Sequence, residues 1–436
     1  MPETSDTIFA LSSGSLPSGV AVIRLSGNQA VSALNAISGE TTEPRIATLR
    51  KLCHPQTGEV IDEALVLLFP APNSFTGEDV VELHCHGGMA TVASILETLS
   101  SLPGLRVAEP GEFSRRAFEN GKLDLTQLEG LSDIIAAQTE EQRRLAVQQY
   151  GGSLRDLYDD WRKQLIRARS LIEAELDFAD EDDIPGSVSD QVWGLIGQLK
   201  EEIDSHLDDR HQGEIVRRGY RVALLGKPNA GKSSLLNSLA KREVAIVTPQ
   251  AGTTRDVIEV SLNIGGHLIT VFDTAGIRES DDLVESEGIK RALHVAEQAD
   301  LTLWLHAADD DSEPKPPESA LVVTSKDDLL TGQHPVLSAP SINTTTQNGI
   351  NKLVELLEDR VRSHICDSEE PIITRQRHRD ATENCSTCLE SAQQAEEIEI
   401  CSEYLRQAAD HLGRVTGRID VEDLLDVIFS EFCVGK

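Results

Sequence analysis

The octapeptide Gly226-Lys227-Pro228-Asn229-Ala230-Gly231-Lys232-Ser233 fits G-x-x-x-x-G-K-[ST], and its flanks leave few folds open. An apolar run, Tyr220 to Leu225, precedes it, and a helical pattern opens at Ser233 and continues to Ala240. The motif therefore falls on a strand–loop–helix unit. From Gly219 to about Cys366 strand and helix signals alternate, which reads as a mostly parallel sheet covered by helices. Glycines let the backbone wrap a phosphate, whose charge is met by exposed N–H groups and the helix N-terminus. Asn229, Ala230, Gly231, Lys232, Ser233 and Ser234 are expected to hold a nucleotide, with Lys232 reaching the terminal phosphates and Ser233 holding Mg²⁺.

Two further motifs follow in the order a GTPase requires. The stretch Thr248-Pro249-Gln250-Ala251-Gly252-Thr253-Thr254 lies where a switch loop belongs and is expected to line the nucleotide, with Thr254 as a second Mg²⁺ ligand. Asp273-Thr274-Ala275-Gly276 ends the strand Leu268 to Phe272; Asp273 would meet Mg²⁺ through water, and the Gly276 N–H would hold the γ-phosphate. Base choice is expected from Ser325-Lys326-Asp327-Asp328, a variant of Asn-Lys-x-Asp. Asp328 is placed to accept from the N1–H and amino group of guanine. Ser325 stands where Asn is usual, so one purine contact is weaker or runs through water. Two segments compete for the next guanine loop: Ser338-Ala339 fits in letters, and Asn343-Thr344-Thr345 fits in spacing before Gly349.

The remainder of the 436 residues needs more than one core. Up to about Lys122, short β-rich runs such as Val20 to Leu25 and Ala64 to Phe69 predict strands, and Ala90 to Leu99 predicts a helix ended by Pro103-Gly104. From Leu123 to about Gln212 the spacing is helical, as in Leu154, Leu157, Trp161, Leu165 and Ala168, with an acidic break at Asp180 to Gly186. After Pro371 it is helical again to Asp426 or beyond. With 73 acidic against 40 basic residues, the net charge is −33, so nucleic acid is repelled at long range and must meet a local basic patch or a partner. Arg375-Gln376-Arg377-His378-Arg379, and Arg217-Arg218 with Arg221, read either as solvated faces or as such patches. Seven scattered cysteines suit a reducing compartment, and Cys385-x-x-Cys388 reads as structural. His84 and His86 share one strand face without a further ligand pair. No run of 18 apolar residues occurs and the N-terminus lacks a basic signal-peptide start, so a soluble, cytoplasmic protein that avoids membranes is expected.

Several segments outside the nucleotide motifs carry a resemblance. Pro72-Asn73-Ser74-Phe75-Thr76-Gly77-Glu78-Asp79, Glu82-Leu83-His84-Cys85-His86-Gly87-Gly88, Pro110-Gly111-Glu112-Phe113-Ser114, Lys122-Leu123-Asp124-Leu125 and the end Phe432-Cys433-Val434-Gly435-Lys436 resemble the MnmE/TrmE family of tRNA modification GTPases over essentially the whole chain. The resemblance implies a multidomain protein with three parts. These are an α/β folate-binding and dimerising domain over 1–122, an all-α helical domain in two pieces over 123–215 and 371–436, and an inserted α/β Ras-like P-loop GTPase domain over 216–370. It implies a homodimer working with the FAD protein MnmG, in a heterotetramer or larger complex, on tRNA. The chemistry so implied is a carboxymethylaminomethyl or aminomethyl group added to C5 of the wobble uridine. By the family's pattern, Arg24, Glu82, Lys122 and Lys436 would contact a tetrahydrofolate derivative (5-formyl or 5,10-methylene). A pterin needs a carboxylate acceptor, which suits Glu82, while the cations suit folate carboxylates.

For catalysis the resemblance assigns K⁺ to Asn229, with further ligands at Thr248, Gln250 and Thr253. Ile277 follows Asp-x-x-Gly where Ras-type enzymes place a water-orienting Gln soon after, so the water must be oriented from elsewhere. The resemblance points to Glu285, which otherwise reads as a solvated acid at a helix start. Cys433 beside Lys436 reads either as a thiol of depressed pKa or as a small buried hydrophobe. A ribosome-assembly or signalling GTPase would share the G-domain motifs but leave the Phe75 to Glu78 and Phe432 to Lys436 segments without a role. A folate module that has lost hydrolysis would not need Lys232, Ser233, Thr254 and Asp273.

Overall fold

The computed structural model describes residues 6–177, 188–242, 244–246, 258–273, 299–310, 316–317, 320–329, 340–365, 370–419, 425, 428–429 and 435. The chain divides into two compact units, residues 1–132 with 413–436 and residues 133–412. No helix among the described residues is long and apolar enough to cross a membrane.

The first unit is built on a six-stranded sheet of order β3-β4-β5-β2-β1-β6. Its strands are β1 (Thr7–Leu11), β2 (Ser18–Ser26), β3 (Thr48–Cys53), β4 (Val60–Phe69), β5 (Val80–Gly87) and β6 (Leu105–Val107). Strict alternation decides its faces. Ala21, Ile23 and Leu25 of β2, Ala64, Val66 and Leu68 of β4, and Val81, Leu83 and Cys85 of β5 point to one side. There they meet Ala30, Ala33, Leu34 and Ile37 of α1 (Ala30–Ser38) and Val92, Ile95 and Leu99 of α2 (Met89–Ser100). Each such burial is worth roughly 1.5–3 kcal/mol for a full-size aliphatic side chain. The other face is left for Arg24, Glu82 and His84, of which Arg24 and Glu82 are direct cross-strand partners. Helices α3 (Glu112–Glu119) and α4 (Leu125–Ala136) follow. Within the same unit Phe429 packs on Leu128, and the Ser12 hydroxyl donates to the Gly435 carbonyl at 2.8 Å.

In the second unit, α5 (Glu140–Tyr150), α6 (Ser153–Asp177), α7 (Val188–Leu207) and α8 (Gln212–Arg218) precede the α/β sheet. Of the helical spacing read from the sequence, α6 buries Leu154, Trp161, Leu165 and Ala168 in one stripe with Tyr158 and Ile172, while Leu157 is half-buried beside it. The sheet has order β12-β11-β10-β7-β9-β8, parallel except for the antiparallel pair β8–β9. Its strands are β7 (Tyr220–Gly226), β8 (Ile258–Ile264), β9 (His267–Asp273), β10 (Leu301–Ala307), β11 (Leu321–Ser325) and β12 (Ser341–Ile342). Helices α9 (Lys232–Ala240) and α10 (Ile350–His364) cover it with Leu235, Leu236, Leu239, Ile350, Leu353, Leu357 and Val361. After the sheet come α11 (Gln376–Gln394) and α12 (Ile398–Thr416). Helices before and after the sheet pack on each other, α7 on α11, with Ser386 bonded to Asp204 at 2.5 Å. The α/β domain is thus inserted into a helical one.

Entry and exit of the insertion are tied together. Arg217, at the end of α8, donates to the Thr374 carbonyl at 3.0 Å, and the Gln142 amide donates to the Arg217 carbonyl at 2.9 Å. Arg375 reaches Asp133 at 2.9 Å, and the Thr374 hydroxyl donates to Gln149 at 3.2 Å.

Candidate functional site

The nucleotide loop leaves the C-terminal end of β7, in the middle of the sheet, where strand ends open a crevice. Gly226 holds φ +148, and a Cβ there would fall 2.3 Å from the Leu305 carbonyl oxygen, so the loop can pass β10 only as glycine. Asn229 is exposed with φ 62, a left-handed conformation that Asn adopts more readily than most residues. Lys232 is 7% exposed, and its ammonium donates to the carbonyls of Gly226 at 2.7 Å and Lys227 at 2.9 Å. Burial lowers its pKa, and the charge of Asp273 opposes that shift. Ser233 donates to Asp273 at 3.0 Å, with Asp273 fully buried at the end of β9. A hydroxyl and a carboxylate so paired are the donor set that a hard cation such as Mg²⁺ takes. Ser234 is exposed on the first turn of α9.

The base end lies at the edge of β11. Lys326 holds φ 57 and pairs with Asp309 at 2.7 Å, while Lys227 pairs with Asp310 at 2.8 Å. Asp328 is exposed and accepts from the Asn343 amide at 2.5 Å. Asn343, in turn, accepts from the N–H groups of Thr345 and Thr346 at 2.9 Å each. Of the two guanine-loop segments, Asn343-Thr344-Thr345 is therefore the one set against Asp328, and Ser338-Ala339 lies outside the described residues. Ser325 is 2% exposed and donates to the Ala230 carbonyl at 2.6 Å. Sequence reasoning missed Asp309, Asp310 and the anchoring by Asn343. The run Asp309-Asp310-Asp311 at the end of an apolar strand was the available signal for the first two.

A second polar cluster sits on the face of the first unit's sheet opposite α1 and α2, beside Phe75 and Phe113. Arg24 bonds Glu82 at 2.9 Å, and His84 holds the other Glu82 oxygen at 3.2 Å. The Arg24 guanidinium lies 5.3 Å from the Phe75 ring centroid and 5.8 Å from that of Phe113. Lys122 donates to the Pro72 carbonyl at 2.9 Å, so the loop between β4 and β5 carries contacts to both Lys122 and Arg24. That loop is braced from below: Arg116, 2% exposed, bonds Glu78 and Glu112, and Ser26 bonds Glu78 at 2.7 Å. An acceptor carboxylate, flanking cations and a nearby phenyl ring form a donor set that fits a pterin with an anionic tail. Sequence reasoning did not assign His84, Phe75, Phe113 or Arg116 to this cluster. Periodicity carries no record of pairing across strands.

The basic runs are drawn into ion pairs. Arg379, 3% exposed, meets Asp209 at 2.7 Å and Glu214 at 2.8 Å; Arg218 meets Asp300 at 2.7 Å; Arg375 meets Asp133. Arg221 lies 5.7 Å from the Phe272 ring. His86 pairs with Asp62 at 2.8 Å. Burial pushes the Cys85 and Cys401 thiols up to about 11 and raises Cys385 further, so none of these three is a thiolate at neutral pH. Thr248, Pro249, Gln250, Ala251, Gly252, Thr253, Thr254, Thr274, Ala275, Gly276, Glu285, Cys433 and Lys436 lie outside the described residues.

Comparison with known proteins bears on the whole chain. A family model described as the GTP-binding protein TrmE N-terminus matches residues 7–122, and one described as the MnmE helical domain matches residues 125–433. The tRNA modification GTPase MnmE of Agrobacterium fabrum is 51% identical over 445 aligned residues, covering 100% of both chains. Its counterpart from Rhizobium meliloti is 50% identical over 438, covering 99% of this chain and 100% of the relative. A nucleotide loop in the crevice of an inserted α/β domain, two domain models matched in order, and full-length relatives at half identity agree: the chain belongs to the MnmE (TrmE) family of tRNA modification GTPases.

Proposed function

We propose that this GTPase, stimulated by potassium and acting with the FAD protein MnmG on tRNA, adds a carboxymethylaminomethyl or aminomethyl group to C5 of the wobble uridine. The observation that carries the reading is the pairing of Ser233 with Asp273 beside Lys232 in a glycine-shaped phosphate loop. Lys232 would exchange its two loop carbonyls for phosphate oxygens. Ser233 would hold Mg²⁺, together with Thr254 of the switch loop, and Asp273 would orient a water on that ion. Asp328, steadied by Asn343, would accept from guanine. Asn229, with Thr248, Gln250 and Thr253, would hold K⁺, whose charge stands in for an arginine between the β- and γ-phosphates. Glu285 would orient the attacking water, and Cys433 is the candidate thiol for the tRNA chemistry.

A tetrahydrofolate held by Arg24, Glu82, Lys122 and Lys436 would supply the one-carbon unit. Glu82 would accept from the pterin and the cations would hold its carboxylate tail. Homodimerisation through the first unit and a heterotetramer or larger complex with MnmG, in the cytoplasm, complete the reading. Mass spectrometry of tRNA nucleosides from cells lacking the protein tests it. Carboxymethylaminomethyl- and aminomethyl-uridines should disappear and the unmodified wobble uridine should accumulate. An unchanged nucleoside profile would return the chain to a GTPase without covalent tRNA chemistry.

A further inference from the structure

Ser325 ends β11 at the junction of the base loop and the phosphate loop, almost without exposed surface. Its hydroxyl donates to the Ala230 carbonyl at 2.6 Å, and the His306 carbonyl stands 3.4 Å away. Both neighbours are acceptors. A hydroxyl owns one proton, so the bond to Ala230 leaves this side chain no second donor. The asparagine usual at this place has two amide hydrogens and can serve a loop carbonyl and a purine acceptor together.

We propose that Ser325 is a positioning residue that ties the base loop to the phosphate loop, and that this chain binds guanine with no side-chain donor to N7. The inference rests on the guanine reading of Asp328. Guanine offers its N1–H and amino donors on one edge and its O6 and N7 acceptors on the other. Asp328, an acceptor, serves the donor edge. Position 325, set against the phosphate loop, faces the acceptor edge, and its only proton is already committed to Ala230. Discrimination between purines therefore rests on Asp328, and replacing N7 by carbon removes nothing that the side chain uses.

The test compares dissociation constants of GDP, 7-deaza-GDP and ADP for the full chain, its Ser325→Asn variant and its Ser325→Ala variant. In the unaltered protein, GDP and 7-deaza-GDP should bind within about twofold of each other, since one missing neutral hydrogen bond would show as about fivefold. Ser325→Asn should make GDP the tighter by about fivefold. Ser325→Ala should weaken both guanine ligands alike, leaving their ratio unmoved while the tie to Ala230 is lost. A fivefold preference for GDP over 7-deaza-GDP in the unaltered chain, a measurement that needs no variant to fold, would overturn the missing N7 contact. Unweakened binding of both ligands to Ser325→Ala would overturn the positioning role. ADP binding as tightly as GDP would instead remove the guanine reading itself, an outcome the 7-deaza ratio cannot produce.

Discussion

Glu82 shows how little room a single carboxylate has on the first unit's sheet. One of its oxygens bonds Arg24 at 2.9 Å and the other bonds His84 at 3.2 Å, so a ligand either takes over one of these places or uses the second lone pair of the oxygen that His84 holds. Removing a charged acceptor costs about 1.5–3 kcal/mol, or roughly one to two decades of affinity. Titration calorimetry with 5-formyltetrahydrofolate should show Glu82→Ala weakened by that amount, and His84→Ala by less, because His84 holds only one oxygen. An unaltered dissociation constant in Glu82→Ala would dismiss the folate assignment. The same residue was legible from its motif, but its two partners were not. Arg24 became its neighbour only through the antiparallel register of β2 and β5.

Among the elements, α6 and α7 make the clearest case for packing that responds to acid. His206 of α7 sits against Tyr158 and Trp161 of α6, with ring centroids 5.9 and 5.2 Å away. Burial lowers its pKa from 6.5 to about 4; Asp209 pulls it up and Arg379 pushes it down. The folded chain therefore favours the neutral ring. Its contribution is complete above the unfolded value of 6.5 and is lost as pH falls from there through about 4, amounting to at most on the order of 3 kcal/mol. Thermal melts at stepped pH should show His206→Gln flattening this slope between those values. A slope that survives in His206→Gln would place the acid response elsewhere. The helical stripe of α6 was readable from spacing, and the hairpin of β8 with β9 had its signal in Gly265-Gly266, both at positive φ, which the sequence reading passed over.

At the scale of the molecule, the insertion hangs on a small set of bonds around Arg217, Thr374, Arg375 and Asp133. All four lie in the unit that also holds the phosphate loop. In related P-loop enzymes an arginine placed on the phosphates is worth on the order of 10³-fold or more in turnover. If potassium takes that place, GTP turnover should rise at least about tenfold in KCl over NaCl at equal ionic strength. Asn229→Ala should erase the difference while GDP binding persists, and Glu285→Ala should slow turnover in either salt. Equal rates in sodium and potassium would sink the cation reading.

The sequence by itself determined whatever is local and contiguous. The phosphate loop, the strand before it, the Asp273 terminus and Lys326-x-Asp328 are short runs whose chemistry needs only a strand–loop–helix setting. Short β-rich runs likewise placed β2 and β4, because aliphatic and β-branched side chains suit a half-buried pleated surface. Only the tertiary structure decided which partners these groups acquired. Ser325 finds Ala230 across 95 residues, and Arg24 finds Glu82 across 58. Among the arginines that read as candidate phosphate contacts, Arg375, Arg379 and Arg218 meet Asp133, Asp209, Glu214 and Asp300. A charge carries no period, and its partner is chosen by packing between distant elements, so the neutralised cation and the committed hydroxyl become visible only when the chain is folded.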